Sequence, residues 1–390
     1  MADTSRALDV VVFGATGFTG RLVCEHLAQH APEGTRWAIA GRDERRLFAM
    51  RGELETRPRP PREVIIANVD DARSLRAMAD AARVVLSTVG PYARYGEPVV
   101  EAAVEAGSDY VDITGEPAFV DRCIERFDAK ARERGARIVN SCGFESIPDD
   151  LGALFTAKML PQGAPMTIEA FVRMRATFSG GTWNTAIAGM ANARENTVGR
   201  KRPRPRDAAR RVRLMPRRVR WVPQLEAWAV PMPTIENEVV LRSARALDVF
   251  GPDFQFGHHL RMRHLRGVLG LALGVGGVAA LAQLGPTREL LEQVRKPGEG
   301  PDAAARMRSW FELTLIGEAA SHRVITTVSG GDPGYDETAK MVAQSALCLA
   351  LDRASLPQRA GVITPAVAMG DRLRERLQRV GVRFQVKEKI

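Results

Sequence analysis

The chain has 390 residues, of which 45% are hydrophobic and 26% charged, and its formal net charge is +10 at pH 7. This length predicts two to three domains, and the apolar fraction is too high for an intrinsically disordered chain. Of the 56 basic residues only 7 are lysine, and this arginine bias makes the positive charge weak evidence for nucleic-acid binding.

The cysteines and histidines do not form a recognisable metal-site or disulfide pattern. The four cysteines are far apart without a CxxC pair, which favours free thiols in a reducing compartment. His258, His259 and His264 are close in sequence, but neighbouring arginines oppose the binding of a cation. We therefore predict no metal site. No secretory signal precedes the first apolar run at Leu8, so a cytoplasmic location is expected.

Short apolar runs alternate with helical segments through the first 148 residues. The predicted strands are residues 8–13, 37–40, 64–67, 84–88, 110–113 and 137–140. The predicted helices between them are residues 21–30, 72–80, 99–106 and 118–134. Strand–helix–strand units at this spacing are typical of a doubly wound parallel sheet. Residues 1–148 are therefore predicted to form a Rossmann-type α/β domain.

The pattern changes at about residue 149, where longer strands are joined by irregular connections. These strands are predicted at residues 167–175, 219–227, 236–243, 311–316 and 324–328. They indicate an α+β domain over residues 149–332 with a mostly antiparallel sheet, for substrate binding or dimerisation. Helices are predicted at residues 335–351 and 365–379, and we expect the segment 333–390 to pack back onto the first domain.

A basic stretch covers residues 200–220, with eleven Lys or Arg residues and one acid, Asp207. Its proline-rich first half predicts an exposed loop. No aromatic residue occurs until Trp221, which argues against single-stranded nucleic acid. An anionic lipid, an acidic protein domain and a solvated loop without a partner stay open as alternatives, and for a protein partner the complementary charge would speed encounter.

An apolar stretch covers residues 267–284, which contain no charge. As a helix it would be about 27 Å long, the lower limit for crossing a bilayer. Strands predicted beyond it belong to the same sheet, so we expect the segment to be buried or to lie on a membrane surface. Arg261, Arg263 and Arg266 before it would suit anionic headgroups.

A glycine-rich turn follows the first predicted strand and opens the first helix. Its residues are Gly14, Ala15, Thr16, Gly17, Phe18, Thr19 and Gly20. Glycines at this spacing make a tight turn, admit a pyrophosphate to the backbone N–H groups, and pack helix on strand. The helix dipole also favours phosphate there. We predict that this turn binds a dinucleotide.

The end of the second predicted strand distinguishes NADP from NAD. Arg42 stands there and favours NADP(H), because arginine accommodates the ribose 2′-phosphate. Asp43 follows directly, and an acid at this place would bind the 2′-hydroxyl of NAD. The sequence therefore favours NADPH while leaving NAD open at this position.

Polar residues also follow the fourth and fifth predicted strands, at the crevice where the nicotinamide half would pass. The predicted cofactor contacts there are Ser87, Thr88, Val89, Gly90 and Pro91. Tyr92, Asp112 and Glu116 are the candidate catalytic residues. Tyr92 would donate to a developing enolate or supply a proton, and its alternative is to stack on the cofactor. For the two carboxylates the alternative is helix or turn capping.

Several motifs in a fixed order resemble one known family. They are GATGFTG from Gly14, GPY from Gly90, VDITGE from Val111, CGFESIPDDLG from Cys142, PGEGP from Pro297, SGGDPGYDETAK from Ser329 and GVITP from Gly361. This set spans nearly the whole chain. It resembles the saccharopine-dehydrogenase-like oxidoreductases, and within them the trans-acting enoyl reductase branch.

The resemblance implies an NADPH-dependent enoyl reductase of lipid biosynthesis. Such an enzyme serves a polyketide synthase that lacks its own enoyl reductase, and its substrate is a lipid-like acyl chain on an acyl carrier protein or coenzyme A. The resemblance supplies no catalytic residue. Two alternatives stay open from the residues: reduction of an imine, as in saccharopine-type enzymes, and a non-catalytic NADP(H) sensor. A homodimer and a peripheral position on the inner face of the plasma membrane are further expectations.

Overall fold

The computed structural model describes residues 6–176, 210–282 and 301–390, and within these ranges it has two β-sheets flanked by helices. The strands of the first sheet are β1 (Leu8–Phe13), β2 (Trp37–Gly41), β3 (Glu63–Ile66), β4 (Ala82–Ser87), β5 (Asp109–Asp112), β6 (Arg137–Val139) and β14 (Gly361–Val362). The helices along them are α1 (Phe18–His30), α2 (Glu44–Leu54), α3 (Ala72–Ala81), α4 (Tyr92–Ala106), α5 (Pro117–Arg134) and α6 (Ile147–Ala157).

The first sheet is parallel throughout, in the order β14–β6–β5–β4–β1–β2–β3. All six residues of β1 are buried, as an apolar strand covered by helices on both faces must be. The strand order reverses between β1 and β4, and ligands bind at such a switch point in open α/β sheets. The predicted Rossmann-type fold is confirmed.

The second sheet is mixed, with the order β15–β13–β12–β7–β11–β10–β9 and with β8 also paired to β11. Its strands are β7 (Met166–Arg175), β8 (Arg211–Leu214), β9 (Arg220–Val222), β10 (Ala227–Pro231), β11 (Asp253–Met262), β12 (Trp310–Ala319), β13 (His322–Gly330) and β15 (Arg383–Lys389). The remaining helices are α7 (Ile235–Ala246), α8 (Leu265–Ala282), α9 (Ala303–Met307), α10 (Asp336–Leu351), α11 (Pro365–Ala368) and α12 (Gly370–Arg379). The pairs of β11 with β7 and β8 are parallel, and the others are antiparallel, as predicted.

Two predicted strands of this half are wrong. Residues 236–243 form most of helix α7, in which Ile235 and Val239 pack with Val120 of α5 and Val240 faces the main core. The adjacent valines gave a strand-like local pattern, while the burial follows the helical period. Residues 219–227 are interrupted by a 3₁₀ turn at Pro223–Leu225, so they divide between β9 and β10.

The basic stretch is only partly the exposed loop that was predicted. Residues 200–209, which include its proline-rich half, lie outside the described residues. Residues 211–214 form strand β8, so the loop is wrong there, whereas residues 215–219 belong to no helix or strand and are mostly exposed. Arg210 pairs with Asp248, and Arg220 pairs with Glu169. Part of the positive charge is therefore bound by acids and carbonyls of the same domain.

The apolar stretch forms helix α8 as far as residue 282, and residues 283–284 lie outside the described residues. Leu269 is 58% exposed and Leu273 is 78% exposed, so the described helix is not the buried segment that was one of our expectations. In the described part of the chain, no helix is long and apolar enough to cross a membrane.

The C-terminal segment contributes to both sheets. Strand β14 pairs with β6 of the first sheet, and β15 pairs with β13 of the second. Before both strands in sequence, α10 packs against α1, and the rings of Phe18 and Tyr335 meet edge to face there at 5.0 Å. Gln344 of α10 also contacts His26 of α1 at 3.0 Å. The two sheets are thus joined by the same stretch of chain.

Candidate functional site

The glycine-rich turn presents bare backbone at the start of α1. Gly17 is the N-cap and supplies no side-chain cap, and the first turn of the helix carries no acid. The first N–H groups of such a helix suit an anion. A Cβ at Gly20 would lie 2.1 Å from the carbonyl oxygen of Gly14, and Gly14 itself has φ +88°. Only glycine fits these two positions, as a pyrophosphate cradle requires.

The end of β4 closes this cradle from the other side. Thr88 donates its N–H to the Phe13 carbonyl at 2.9 Å and its hydroxyl to the Gly14 carbonyl at 3.2 Å. A Cβ at Gly14 would also lie 2.7 Å from Cγ2 of Val89. The predicted cofactor residues of the first and fourth strands therefore meet at the switch point. Beyond Val89, Gly90 and Pro91 lead directly into α4.

The charges at the end of β2 fit a 2′-phosphate. Arg42 is exposed and has no ion pair or hydrogen bond within the described ranges. Asp43 is the N-cap of α2, and its carboxylate accepts the N–H of Arg46 at 3.1 Å. The Arg46 guanidinium donates to the carbonyl of Thr16 at 2.9 Å, which brings a second cation to the glycine turn. Our sequence analysis missed Arg46, although it follows Arg42 by one helical turn.

Tyr92 is buried at the start of α4. Its hydroxyl donates to the carbonyl of Ser87 at 3.0 Å and accepts the N–H of Ile113 at 3.4 Å. Its ring lies 5.6 Å from that of Phe119. Burial raises the pKa of Tyr92 well above its usual range. The tyrosine therefore joins the ends of β4 and β5, and its catalytic role stays a prediction.

Glu116 caps helix α4. Its two carboxylate oxygens accept the N–H groups of Tyr92 and Ala93, both at 2.8 Å. These are the first N–H groups of the helix, which have no partner within it. The capping alternative thus describes the observed contacts of Glu116, and a catalytic role for it stays a prediction.

Asp112 ends β5 and is fully buried. Its carboxylate accepts from the side-chain amide of Asn140 at 2.8 Å and from the N–H groups of Ser141 at 2.8 Å and Thr114 at 3.1 Å. Burial raises the pKa of Asp112 to about 6, although these hydrogen bonds oppose the shift. The side chain ties the ends of β5 and β6 together next to the crevice, and its catalytic role also stays a prediction.

A histidine–carboxylate pair that our sequence analysis missed lies deeper in the same region. Nδ1 of His258 on β11 is 2.6 Å from Oδ1 of Asp149 in the first turn of α6. His259, its neighbour, faces the other side of the sheet and stacks on Phe171. Among the described residues no three His, Cys, Asp or Glu side chains are placed to hold a metal ion.

Comparison with known proteins decides the family. Residues 10–139 match the saccharopine dehydrogenase NADP-binding domain. Two Mycobacterium tuberculosis proteins with trans-acting enoyl reductase in their names are 35% and 34% identical to this chain. They cover 99% and 98% of it, and the same shares of their own lengths. The chain belongs to the saccharopine-dehydrogenase-like oxidoreductases. Within them it falls in the trans-acting enoyl reductase branch.

Two further matches span nearly the whole chain. A protein of Caenorhabditis elegans named lipid droplet localized protein is 32% identical over 97% of this chain and 98% of its own length. The apo saccharopine dehydrogenase (L-Glu forming) of Saccharomyces cerevisiae covers 98% of this chain and 99% of its own, with a TM-score of 0.57 at 14% identity. That structural match shows a shared fold.

As a member of this family, the chain is an oxidoreductase with an NADP-binding domain, and its cofactor is NADPH. The residues present fit the cofactor. The backbone of residues 14–20 would hold the pyrophosphate, and Arg42 and Arg46 would hold the 2′-phosphate. Residues 87–91 would lie along the nicotinamide half.

Proposed function

We propose that this oxidoreductase reduces the α,β double bond of an acyl thioester. The observation that carries the proposal is that relatives named trans-acting enoyl reductase align with nearly the whole of this chain. The NADP-binding domain is also present. When bound, NADPH supplies a hydride for the β-carbon. The protein would orient the cofactor through residues 14–20 and 87–91 and stabilise the charge that develops on the thioester oxygen.

The substrate we propose is a lipid-like acyl chain carried by an acyl carrier protein or coenzyme A and delivered by a polyketide synthase. The resemblance to the trans-acting branch supports a separate carrier. The net charge of +10 supports an acidic one, because complementary charges speed encounter. We place the reaction in the cytoplasm.

Stopped-flow absorbance of NADPH tests the reaction. Enoyl-CoA thioesters of increasing chain length should oxidise NADPH, while imines formed from an amino acid and a keto acid should not. Oxidation by the imines alone would favour the saccharopine-type alternative. NADPH binding without oxidation by either class would favour a sensor.

We also propose that α8 rests on an anionic lipid surface. Leu265, Leu269 and Leu273 are exposed at four-residue spacing, which puts them on one stripe of the helix. At the foot of the helix, a pocket of about 380 Å³ is lined by basic side chains. They are Arg173, Arg261, Arg263 and Arg266. An apolar stripe next to arginines suits the boundary between headgroups and acyl chains.

Vesicle flotation tests this surface. Binding is expected to vesicles that contain phosphatidylserine, weaker binding to pure phosphatidylcholine, and loss of binding in the variant L269S/L273S. Leu351→Ser is the matched control, because Leu351 is exposed on α10, away from this surface. Equal flotation of wild type and L269S/L273S would reject α8 as the contact.

A further inference from the structure

His258 is held rigidly and almost entirely out of solvent. It is 4% exposed and Asp149 is 3% exposed, so their contact at 2.6 Å lies in the interior. The backbone N–H of His258 donates to Oδ1 of Asn237 on α7 at 3.1 Å. Asp149 thus occupies Nδ1 of the imidazole, and Nε2 is the nitrogen left to act on another molecule.

Acidic side chains lie between this pair and the carboxyl edge of the first sheet, where the cofactor would bind. Helix α6 starts just after the turn that follows β6, so Asp149 stands near the carboxyl edge of that sheet. In that turn, Glu145 interacts electrostatically with Asp112 at the end of β5 and with Glu236 at the start of α7. Glu236 also interacts with His258. Asp149 therefore lies on the side of the first sheet at which parallel sheets bind their ligands, and His258 contacts it there.

Nε2 of His258 and Oε2 of Glu236 have no hydrogen-bond partner among the described residues, and the same holds for Oγ1 of Thr234 and Nδ1 of His259 beside them. Leaving a buried polar group unpaired is costly, so such an atom calls for a ligand or a water. A pocket lies next to His258 where β11 changes its partner from β8 to β10. Its lining combines the apolar Met215, Pro231 and Met232 with the polar Arg217, Asn237 and His259. The unpaired nitrogen of His258 therefore lies beside a small pocket of mixed polarity.

We propose that His258 is the proton donor of the reduction and that Asp149 is its positioning residue. The inference rests on the proposed enoyl reduction. A hydride carries two electrons to the β-carbon, and the π pair of the double bond moves to the α-carbon. The Nε2 proton of the imidazolium then completes the new α-carbon–hydrogen bond. NADP⁺ is the other product, and the imidazole regains its proton from water.

The charges around His258 keep it protonated. Asp149 faces it from α6 and Glu236 from α7, and His259 is its neighbour on β11. Burial lowers the pKa of His258, but the Asp149 charge, their hydrogen bond and the Glu236 charge outweigh burial and raise the pKa to about 9. For His259, burial and the nearby Arg220 lower the pKa to about 4. At neutral pH His258 is therefore protonated and able to donate a proton, whereas His259 is neutral.

The experiment uses an α-methyl enoyl-CoA thioester and NADPH in D₂O, with the variant His258→Gln and the matched control His322→Gln, which replaces an exposed histidine on β13. The wild type should deliver one deuteron to one face of the α-carbon and give a single configuration. In H258Q we expect turnover to fall about 100-fold or more, the typical contribution of a general acid, and the product to be a mixture of configurations. H322Q should retain the rate and the single configuration.

Two readouts separate this role from a structural one. NADPH binding, followed by nicotinamide fluorescence, should be equal in wild type and H258Q, and the wild-type kcat/KM should fall above a pH of about 9. ¹⁵N NMR of the free enzyme should show Nε2 of His258 protonated up to the same pH. In Asp149→Asn the fall of kcat/KM should begin at a lower pH than in the wild type, because the charge that raises the pKa of His258 is gone.

The outcomes distinguish the two proposals. Should the wild type oxidise NADPH while H258Q keeps its rate and its single configuration, another group is the donor and a buried water satisfies Nε2. Should the wild type oxidise no NADPH with any enoyl thioester, the proposed reaction is rejected and the role of His258 is rejected with it.

Discussion

At the scale of single residues, the cradle for the cofactor depends on the absence of two side chains. Gly20→Ala would put a Cβ 2.1 Å from the Gly14 carbonyl oxygen, so the turn must open. We expect at least a tenfold loss of NADPH affinity in a fluorescence titration. Gly52→Ala is the control, since nothing lies within 4 Å of a Cβ there, and it should bind NADPH like the wild type.

The choice between NADPH and NADH is also decided by single charges. Arg42→Ala should weaken the binding of NADPH by about 1.5–3 kcal/mol, the contribution of one charge-assisted hydrogen bond. The binding of NADH should be nearly unchanged. Paired titrations with the two cofactors measure the difference, and Arg45→Ala controls for the loss of net charge. Equal weakening of both cofactors would show that Arg42 does not contact the 2′-phosphate.

The His258–Asp149 pair should make stability depend on pH. The folded-state pKa of His258, about 9, exceeds its ordinary value of 6.5. The stabilisation is therefore complete below a pH of about 6.5 and is lost as the pH rises to about 9, by roughly 3 kcal/mol at most. Urea unfolding of the wild type and of H258Q/D149N across this range should show that difference. His259 is neutral throughout this range, so H259Q should show the same pH dependence of the unfolding free energy as the wild type.

At the scale of elements, Glu116 tests capping against catalysis. Glu116→Ala leaves two N–H groups of α4 without their acceptor and should cost about 1–2 kcal/mol of unfolding free energy. Glu116→Gln keeps an acceptor oxygen, so most of the stability and of the turnover should survive. A glutamine variant that is stable but inactive would instead support the catalytic role of Glu116.

The elements that the sequence predicts well are those whose local pattern decides their structure. Strand β1 and the turn at Gly14 were predictable because an apolar run and glycine spacing are local signals. Helix α7 was not, since Val239 and Val240 have a β-rich local pattern while tertiary packing selects the helix. The contact of Asp149 with His258 joins residues 109 positions apart, and no spacing in the sequence indicates it.

At the scale of the whole molecule, the C-terminal segment should make unfolding cooperative. Phe384 on β15 is buried and meets Phe155 of α6 edge to face at 6.2 Å. Phe384→Ala should cost about 3 kcal/mol, whereas Val386→Ala on the same strand, at a more exposed position, should cost under about 1 kcal/mol.

Two probes then test the cooperativity. With Trp37 of the first sheet replaced by phenylalanine, tryptophan fluorescence reports on the second sheet through Trp221, Trp228 and Trp310, and NADPH binding reports on the first. In Phe384→Ala both midpoints should move together. A shift of the tryptophan signal alone would mean that the sheets unfold independently.

The strands supplied by the C-terminal segment have a consequence for biosynthesis. While a ribosome is still translating the region before residue 361, β6 and β13 each have an edge that lacks its eventual neighbour. Unpaired edges recruit other chains. The nascent polypeptide is therefore most prone to aggregation late in translation, when chaperone protection of these two edges would matter most.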